Sequence, residues 1–293
     1  MKKLLLLVVA VMSFGMAAFA QTITKSFPVT NFQGIIASGV YDIELAKSSV
    51  ASVIILTDKE IMPYVEVKVV RGNLTLSLDG DKIPHRLRKN MGPIKAKVSM
   101  KEELSWLTLS GATKLFTNAQ FSPKTFSSQI SGASNVTGLN IISEMATISV
   151  SGASSFNIKG KVNEANYELS GASKAVIDQD INKLDLENSG ATKVEFTGKT
   201  NSVSIECSGA TYTKMTGESV TMDAEVSGAS KLDALEFRVS DMNIEVTGVS
   251  SAKLFVEKNI EVDISGGSSV EYKGSPVIKK TDISSISSFK KIN

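Results

Sequence analysis

The chain contains a single histidine, His85, and a single cysteine, Cys207. One residue of each type excludes a zinc site built from several cysteines and histidines. A Ser-His-Asp triad would need His85, and no serine stands in the Gly-x-Ser-x-Gly pattern of a nucleophile elbow. We therefore predict no catalytic residue, no metal ligand and no bound cofactor.

Cys207 occupies a position that most copies of a repeat, described below, fill with Leu, Ile or Val. We interpret it as a small buried hydrophobic residue and not as a nucleophile. A lone cysteine also rules out an intramolecular disulfide.

Carboxylates recur along the second half of the chain at intervals of 18 to 20 residues. They are Glu168, Glu187, Glu206, Glu225, Glu245, Asp263 and Asp282. Stacked in a fold, they would repel one another or recruit Ca²⁺, whose ligands are oxygens. The EF-hand and Gly-Gly-x-Gly-x-Asp calcium patterns are absent. We therefore favour a solvated charged face. Lys174, Lys193 and Lys231, which lie on the other side of a glycine bend described below, would partly neutralise it.

One long irregular segment, residues 79–93, concentrates positive charge. Its basic residues are Lys82, His85, Arg86, Arg88 and Lys89. One hypothesis makes this segment a contact loop for an acidic partner or a phosphate-rich surface. The simpler hypothesis, which we favour, is a solvated insertion between coils.

The element that positions these residues is a repeated phrase, Ser-Gly-Ala-Ser/Thr. Its glycines are 18 to 21 residues apart. They are Gly111, Gly132, Gly152, Gly171, Gly190, Gly209, Gly228, Gly248 and Gly266. A degenerate tenth copy is Ser284-Ser285-Ile286-Ser287. Positions two and four before each glycine and four after it are mostly apolar, whereas positions three before and three after are polar.

This pattern predicts a strand, a bend at glycine, a second strand in the same phase and a polar return. A unit this short must stack on copies of itself to bury its inner face. We predict an all-β fold, a right-handed parallel β-helix with coils of about 19 residues. The Ser or Thr two residues after glycine points inward, where its hydroxyl must bond backbone at the bend or the hydroxyl one coil away. Asn188, in an aliphatic column, should bond backbone or Thr192.

The chain divides into three parts. Residues 1–20 form a signal peptide with Lys2 and Lys3, an apolar run and an Ala18-Phe19-Ala20 cleavage site. Residues 21–104 form an irregular N-terminal β segment that caps the first coils, with a hairpin at Arg71-Gly72-Asn73 and an imperfect first repeat at Ser38-Gly39. Residues 105–293 form the repeat β-helix, continuous with the cap in one domain.

Removing residues 1–20 leaves 30 basic and 30 acidic residues, because Lys2 and Lys3 are lost from 32 and no acid from 30. This balance argues against nucleic-acid binding, which needs a basic surface. No later stretch is apolar for long enough to predict a transmembrane segment. We expect an exported protein of the periplasm, the outer-membrane surface or the extracellular space.

Several of these stretches resemble one protein family. They are Phe32-Gln33-Gly34-Ile35, Ser38-Gly39-Val40-Tyr41, the Pro63-Tyr64 step, the Ser-Gly-Ala-Ser ladder and Tyr272-Lys273-Gly274-Ser275-Pro276. The chain is similar in them to auto-transporter adhesins of the "head GIN domain" family, which is common in Bacteroidetes-type bacteria. The resemblance covers nearly the whole mature chain. It implies a β-helix-like fold, export and an adhesive role, and it supplies no catalytic motif. Ser285 and Ile286 depart from the Gly-Ala pattern, which predicts a frayed or capping last coil.

We therefore expect an exported, non-enzymatic β-solenoid that binds an unknown protein or glycan ligand as an adhesin or surface binding module. One alternative is a periplasmic structural or envelope partner protein. Another is a β-helix carbohydrate-active enzyme that uses residues of the 79–93 segment.

Overall fold

The computed structural model describes residues 22–89 and 91–293 of the 293-residue chain. The predicted signal peptide, residues 1–20, lies outside the described residues. The described chain is nearly all β structure, as predicted.

The N-terminal elements are β1 (Thr22–Phe27), β2 (Gly34–Gly39), β3 (Tyr41–Lys47), β4 (Ser52–Asp58), a 3-10 turn (Met62–Tyr64), β5 (Val65–Val70), β6 (Asn73–Leu78), α1 (His85–Lys89) and β7 (Ile94–Met100). The remaining strands are β8 (Trp106–Gly111), β9 (Lys114–Thr117), β10 (Gln120–Phe121), β11 (Thr125–Ile130), β12 (Asn135–Val150), β13 (Ser155–Leu169), β14 (Lys174–Asn188), β15 (Lys193–Cys207), β16 (Tyr212–Val226), β17 (Lys231–Val246), β18 (Ser251–Ile264), β19 (Ser269–Gly274), β20 (Val277–Ile283) and β21 (Ser288–Lys291).

From β12 to β18, a single strand runs from one Ser-Gly-Ala bend to the next. Each strand pairs in parallel with the strand of the following coil, with equivalent repeat positions mostly in register. Stacked parallel coils of about 19 residues form a β-solenoid, which confirms the predicted architecture. The right-handed sense stays a prediction. The predicted polar return differs: it is paired strand as well, and Ile158 and Val162 on it are buried. Apolar side chains there alternate with polar ones, so the return forms another wall of the core.

At every Ser-Gly-Ala bend the backbone of successive coils comes into close contact. The nine repeat glycines have φ between +71° and +84°. From Gly111 to Gly266, a Cβ on any of them would lie 2.4 to 2.7 Å from the carbonyl oxygen of the glycine one coil before. Only glycine fits, because both the backbone conformation and the space exclude a side chain.

The Ser or Thr two residues after each of the nine repeat glycines is buried, as predicted, whereas Ser287 of the degenerate tenth copy is partly exposed. Ser250 Oγ donates to the Gly228 carbonyl at 3.3 Å and accepts from the backbone N–H of Ser230 at 3.3 Å. Ser268 Oγ repeats the pattern with the Gly248 carbonyl at 3.2 Å. The partner is thus backbone of the neighbouring coil. Among the described residues, the hydroxyls of Ser134, Thr192 and Thr211 have no partner.

At the N-terminal end, the spatial order of the strands differs from their order in the chain. β2 and β3 form the first coil with Gly39 at its bend, and they pair in parallel with β8 and β9 on one side. On their other side they pair in parallel with β6 and β7, which follow them in the chain. Antiparallel β5, β4 and β1 then close the end. The predicted first repeat and the hairpin at Arg71-Gly72 are confirmed.

The last coil consists of β20 and β21, which pair with β18 and β19. Every residue of β20 is exposed. The degenerate tenth bend keeps the register, because Ser287 Oγ donates to the Gly266 carbonyl at 2.8 Å. Among the described residues, no helix has the length and apolar character needed to cross a membrane.

Candidate functional site

The seven repeat carboxylates form one stack on the outside of the solenoid. Glu168 is in register with Glu187, Glu187 with Glu206, and so on through to Asp282. We call these seven residues the acidic stack; neighbours lie about 4.8 Å apart along the strand-pairing direction. None of the seven forms an ion pair with any described residue.

One member of the acidic stack, Glu187, has a shifted pKa. Partial burial, together with the charges of Glu168, Asp185 and Glu206, raises the pKa of the Glu187 carboxyl above its usual value. Within the described part of the chain, no three Asp, Glu, His or Cys side chains converge to hold a metal ion. The acidic stack is therefore a row of single carboxylates, one per coil.

The lysines across the bend do not neutralise the acidic stack. Lys193 Nζ lies 2.8 Å from Glu195 Oε1, and Lys174 Nζ lies 3.9 Å from the same oxygen. Glu195 follows Lys193 by two residues, so both side chains leave the same side of the strand, whereas the bend separates them from the acidic stack. The ion pair with Lys193 lowers the pKa of Glu195.

The 79–93 segment stands at a bend and not between two coils. It connects β6 to β7 where the neighbouring coil has only Val40 between β2 and β3. Three of its five basic residues are engaged locally. Lys82 pairs with Asp79 at 2.6 Å, Arg86 pairs with Glu60 at 3.3 Å, and Arg88 donates to the Gly80 carbonyl.

His85 and Lys89 lie in α1 and form no ion pair with the described residues. Arg86 and Leu87 also line a cavity of about 700 Å³ with Thr57 and Asp58. The five predicted contact residues thus do not converge on one site. A contact role for this loop stays a prediction.

Cys207 is buried, as predicted, and burial raises the pKa of its thiol. Asn188 donates from Nδ2 to Thr213 Oγ1 at 3.1 Å, which also lies 3.4 Å from Cys207 Sγ. The predicted partners of Asn188, backbone or Thr192, were wrong. Asn188 points across the interior, so it contacts the inward column of the following coil.

Sequence analysis missed a surface groove around Phe116. The groove has a volume of about 580 Å³ and includes residues of β3, β7, β9 and β12. Phe116 is 46% exposed, whereas its neighbours Leu115 and Thr117 are buried. The sequence did contain an indication of this groove: Phe116 follows the inward Leu115, and successive side chains of a strand point to opposite sides, so Phe116 must point outward.

These features define the class of protein: a β-solenoid that presents polar and charged side chains in outward columns and in surface grooves. The model of the family described as "Putative auto-transporter adhesin, head GIN domain" matches residues 31–179 and 168–276, and the chain belongs to that family. The resemblance found in the sequence is thereby confirmed. No curated protein matches the chain in sequence.

The chain is also similar to solved structures of bacterial proteins. A "putative lipid binding protein" of Parabacteroides distasonis is 15% identical, with a TM-score of 0.52, over 93% of this chain and 97% of that one. A "putative adhesin" of Parabacteroides merdae is 19% identical, with a TM-score of 0.49, over 93% and 97%. Another, of Parabacteroides distasonis, is 17% identical, with a TM-score of 0.47, over 93% and 98%.

Proposed function

We propose that this chain is an exported, non-enzymatic binding module that holds a protein or glycan partner on its outer surface. The observation that carries the proposal is the acidic stack, seven carboxylates in unbroken register without an ion-pair partner among the described residues. A repeated charge at fixed spacing suits a partner that also repeats, because many weak contacts then add up.

The positions of the other reactive residues support a binding role over catalysis. Cys207 follows Glu206 of the acidic stack along β15, but its side chain is buried in the core, and His85 is in α1 at the N-terminal end. Neither side chain therefore stands beside the acidic stack on the outer surface. The acidic stack itself repeats one side chain per coil, whereas an acid–base mechanism needs two groups with different environments. Release of product from a polysaccharide panel by the purified protein would contradict this part of the proposal.

Location is tested by protease and antibody accessibility of an epitope-tagged protein on intact cells, compared with lysed cells. Cleavage and labelling on intact cells are expected for an adhesin. Protection until lysis would refute surface adhesion and favour the alternative, a periplasmic partner protein.

Binding is tested by adhesion of cells that carry the wild-type protein or a triple variant, Glu187→Gln, Glu206→Gln and Glu225→Gln. We expect the triple variant to adhere less and wild-type adhesion to fall as salt is raised. The matched control is Glu195→Gln, Glu236→Gln and Glu271→Gln, which removes the same charge from carboxylates that lie outside the acidic stack and pair with lysines. Equal adhesion by both triple variants would contradict a role for the acidic stack.

A further inference from the structure

The groove around Phe116 breaks a regular charge pattern on the outside of the solenoid. One column of outward residues runs Lys95, Asp42, Lys114, with the residues in register from strand to strand. The parallel column beside it runs Lys97, Glu44, Phe116. Signs alternate along both columns until the aromatic ring takes the place of a charge.

The Phe116 ring is available for contact. No aromatic ring or ammonium group of the described residues stacks on it. Tyr212, the outward aromatic residue of the repeat, is different: Lys193 and Lys231 lie 5.7 and 5.8 Å from its ring centroid. Cations therefore contact the ring of Tyr212, whereas the exposed face of Phe116 meets solvent.

Polar side chains of several kinds surround the ring. Glu44 and Thr137 are its in-register neighbours on either side, and Lys114 and Asn135 stand in the next column. Charges within the groove nearly cancel, because Lys95, Lys97 and Lys114 face Asp42 and Glu44. The Lys97–Glu44 ion pair is long, at 3.9 Å, and both side chains are exposed. Such groups can bond to a ligand at little desolvation cost.

We propose that this groove binds a neutral saccharide, with the sugar ring stacked on Phe116. A pyranose presents an apolar face of C–H groups, which packs on an aromatic ring, and hydroxyls at its edge, which need both donors and acceptors. Lys114 and Asn135 supply donors, and Glu44, Thr137 and Asp42 supply acceptors. The volume of about 580 Å³ falls within the range of about 300–1,000 Å³ for small-ligand sites.

The balance of charge argues against other ligands. A phosphate or an anionic lipid headgroup would meet Asp42 and Glu44 at the rim, and a cationic ligand would meet three lysines. An acyl chain would need a wide apolar floor, whereas Phe116 is the exposed apolar side chain here and Ile43, Ala96 and Leu115 are buried beneath the surface. A neutral ligand with one apolar face matches both features.

This inference rests on the proposed function, because it names one ligand class of the binding module. The test uses the full mature chain and a panel of neutral oligosaccharides of hexose and N-acetylhexosamine units. Sialylated versions, inorganic phosphate and phosphatidylglycerol vesicles serve as other probes. Titration calorimetry is expected to detect saturable binding of at least one neutral saccharide. Phe116→Ala should weaken that binding at least tenfold, and Phe116→Trp should preserve it.

Tyr212→Ala is the matched control, because it removes an outward aromatic ring elsewhere on the solenoid, and it should bind as the wild type does. Thermal melts verify that all variants are folded. Binding of none of the neutral saccharides, binding only of the anionic probes, or equal binding by Phe116→Ala would each overturn the inference. Cell adhesion measured in parallel separates the two proposals. Adhesion that survives without saccharide binding refutes this site alone, whereas cells with the wild-type protein that adhere no better than cells without it refute the proposed function.

Discussion

Asn188 donates its side-chain amide to Thr213 Oγ1 at 3.1 Å, inside a core that is otherwise mainly aliphatic. The side-chain oxygen of Asn188, Oδ1, has no partner among the described residues. This half-satisfied pair places a polar contact between two coils where neighbouring copies of the repeat make apolar contacts.

The pair gives a double-mutant prediction. Thr213→Val alone leaves the buried Asn188 amide with only a long contact to Cys207 Sγ, at 3.9 Å, and should lower the free energy of unfolding by about 1–3 kcal/mol. Adding Asn188→Leu removes the second polar group and should recover most of the loss, because both columns become apolar. Denaturant titration of the wild type, both single variants and the double variant measures the coupling. Additive losses in the double variant would show that the two residues are not coupled.

The close contact at the bends predicts a strict need for glycine. In Gly190→Ala the new Cβ would lie 2.7 Å from the Gly171 carbonyl oxygen, on a backbone with φ of +74°. Left-handed backbone alone costs a non-glycine residue about 1–2 kcal/mol, and the clash adds to it. The melting temperature should fall by several degrees. Gly80→Ala is the control, since no atom lies within 4 Å of its Cβ position and its φ is not positive, and it should melt like the wild type.

The raised pKa of Glu187, caused by desolvation and by neighbouring carboxylates, predicts a gain of stability when this side chain is neutralised. The folded state raises the pKa of Glu187, so between the unfolded and folded pKa values it binds more protons than the unfolded state. Stability contributed by this group therefore falls as the pH rises through that window. Glu187→Gln should melt slightly higher than the wild type at pH 7, and the gain should vanish below the unfolded pKa.

Glu195→Gln should have the opposite effect. The ion pair with Lys193 lowers the Glu195 pKa, so its stabilisation is present above the unfolded pKa and is lost as the pH falls through the folded one. At pH 7 this variant should melt slightly lower than the wild type, and high salt should shrink the difference in both variants. A change of the same sign in the two variants would contradict the assigned electrostatics.

Burial of Cys207 predicts that its thiol does not react in the native protein. Because burial raises its pKa and no solvent reaches it, a thiol reagent such as DTNB should label none of the native protein at pH 8. One equivalent should react once denaturant unfolds the chain. Rapid labelling without denaturant would mean that the coil around Cys207 opens readily.

The sequence was sufficient to predict the coil, because glycine spacing and residue parity are local properties of the chain. Ser38-Gly39 even revealed the first coil, which pairs with Ser110-Gly111. Contacts between distant segments could not be predicted. Asn188 bonds a residue of the next coil across the core, and the surroundings of Phe116 depend on β3 and β7. The alternation of side chains along β9 was enough to predict that Phe116 points outward. Its charged neighbours could not be predicted, because they depend on which strands pair with β9.

The interleaved N-terminal end has a consequence for how the solenoid assembles. β12 to β18 differ little from one another, so a strand could pair one coil out of step and still bury its apolar side chains. β2 and β3 cannot shift by one coil in this way, because strands from later in the chain pair with them on both sides. Pairing β2 with β8 closes a much longer loop than the 19-residue step between successive coils, so this contact is the slow one. Once it has formed, it fixes the register in which each later coil pairs with the coil before it.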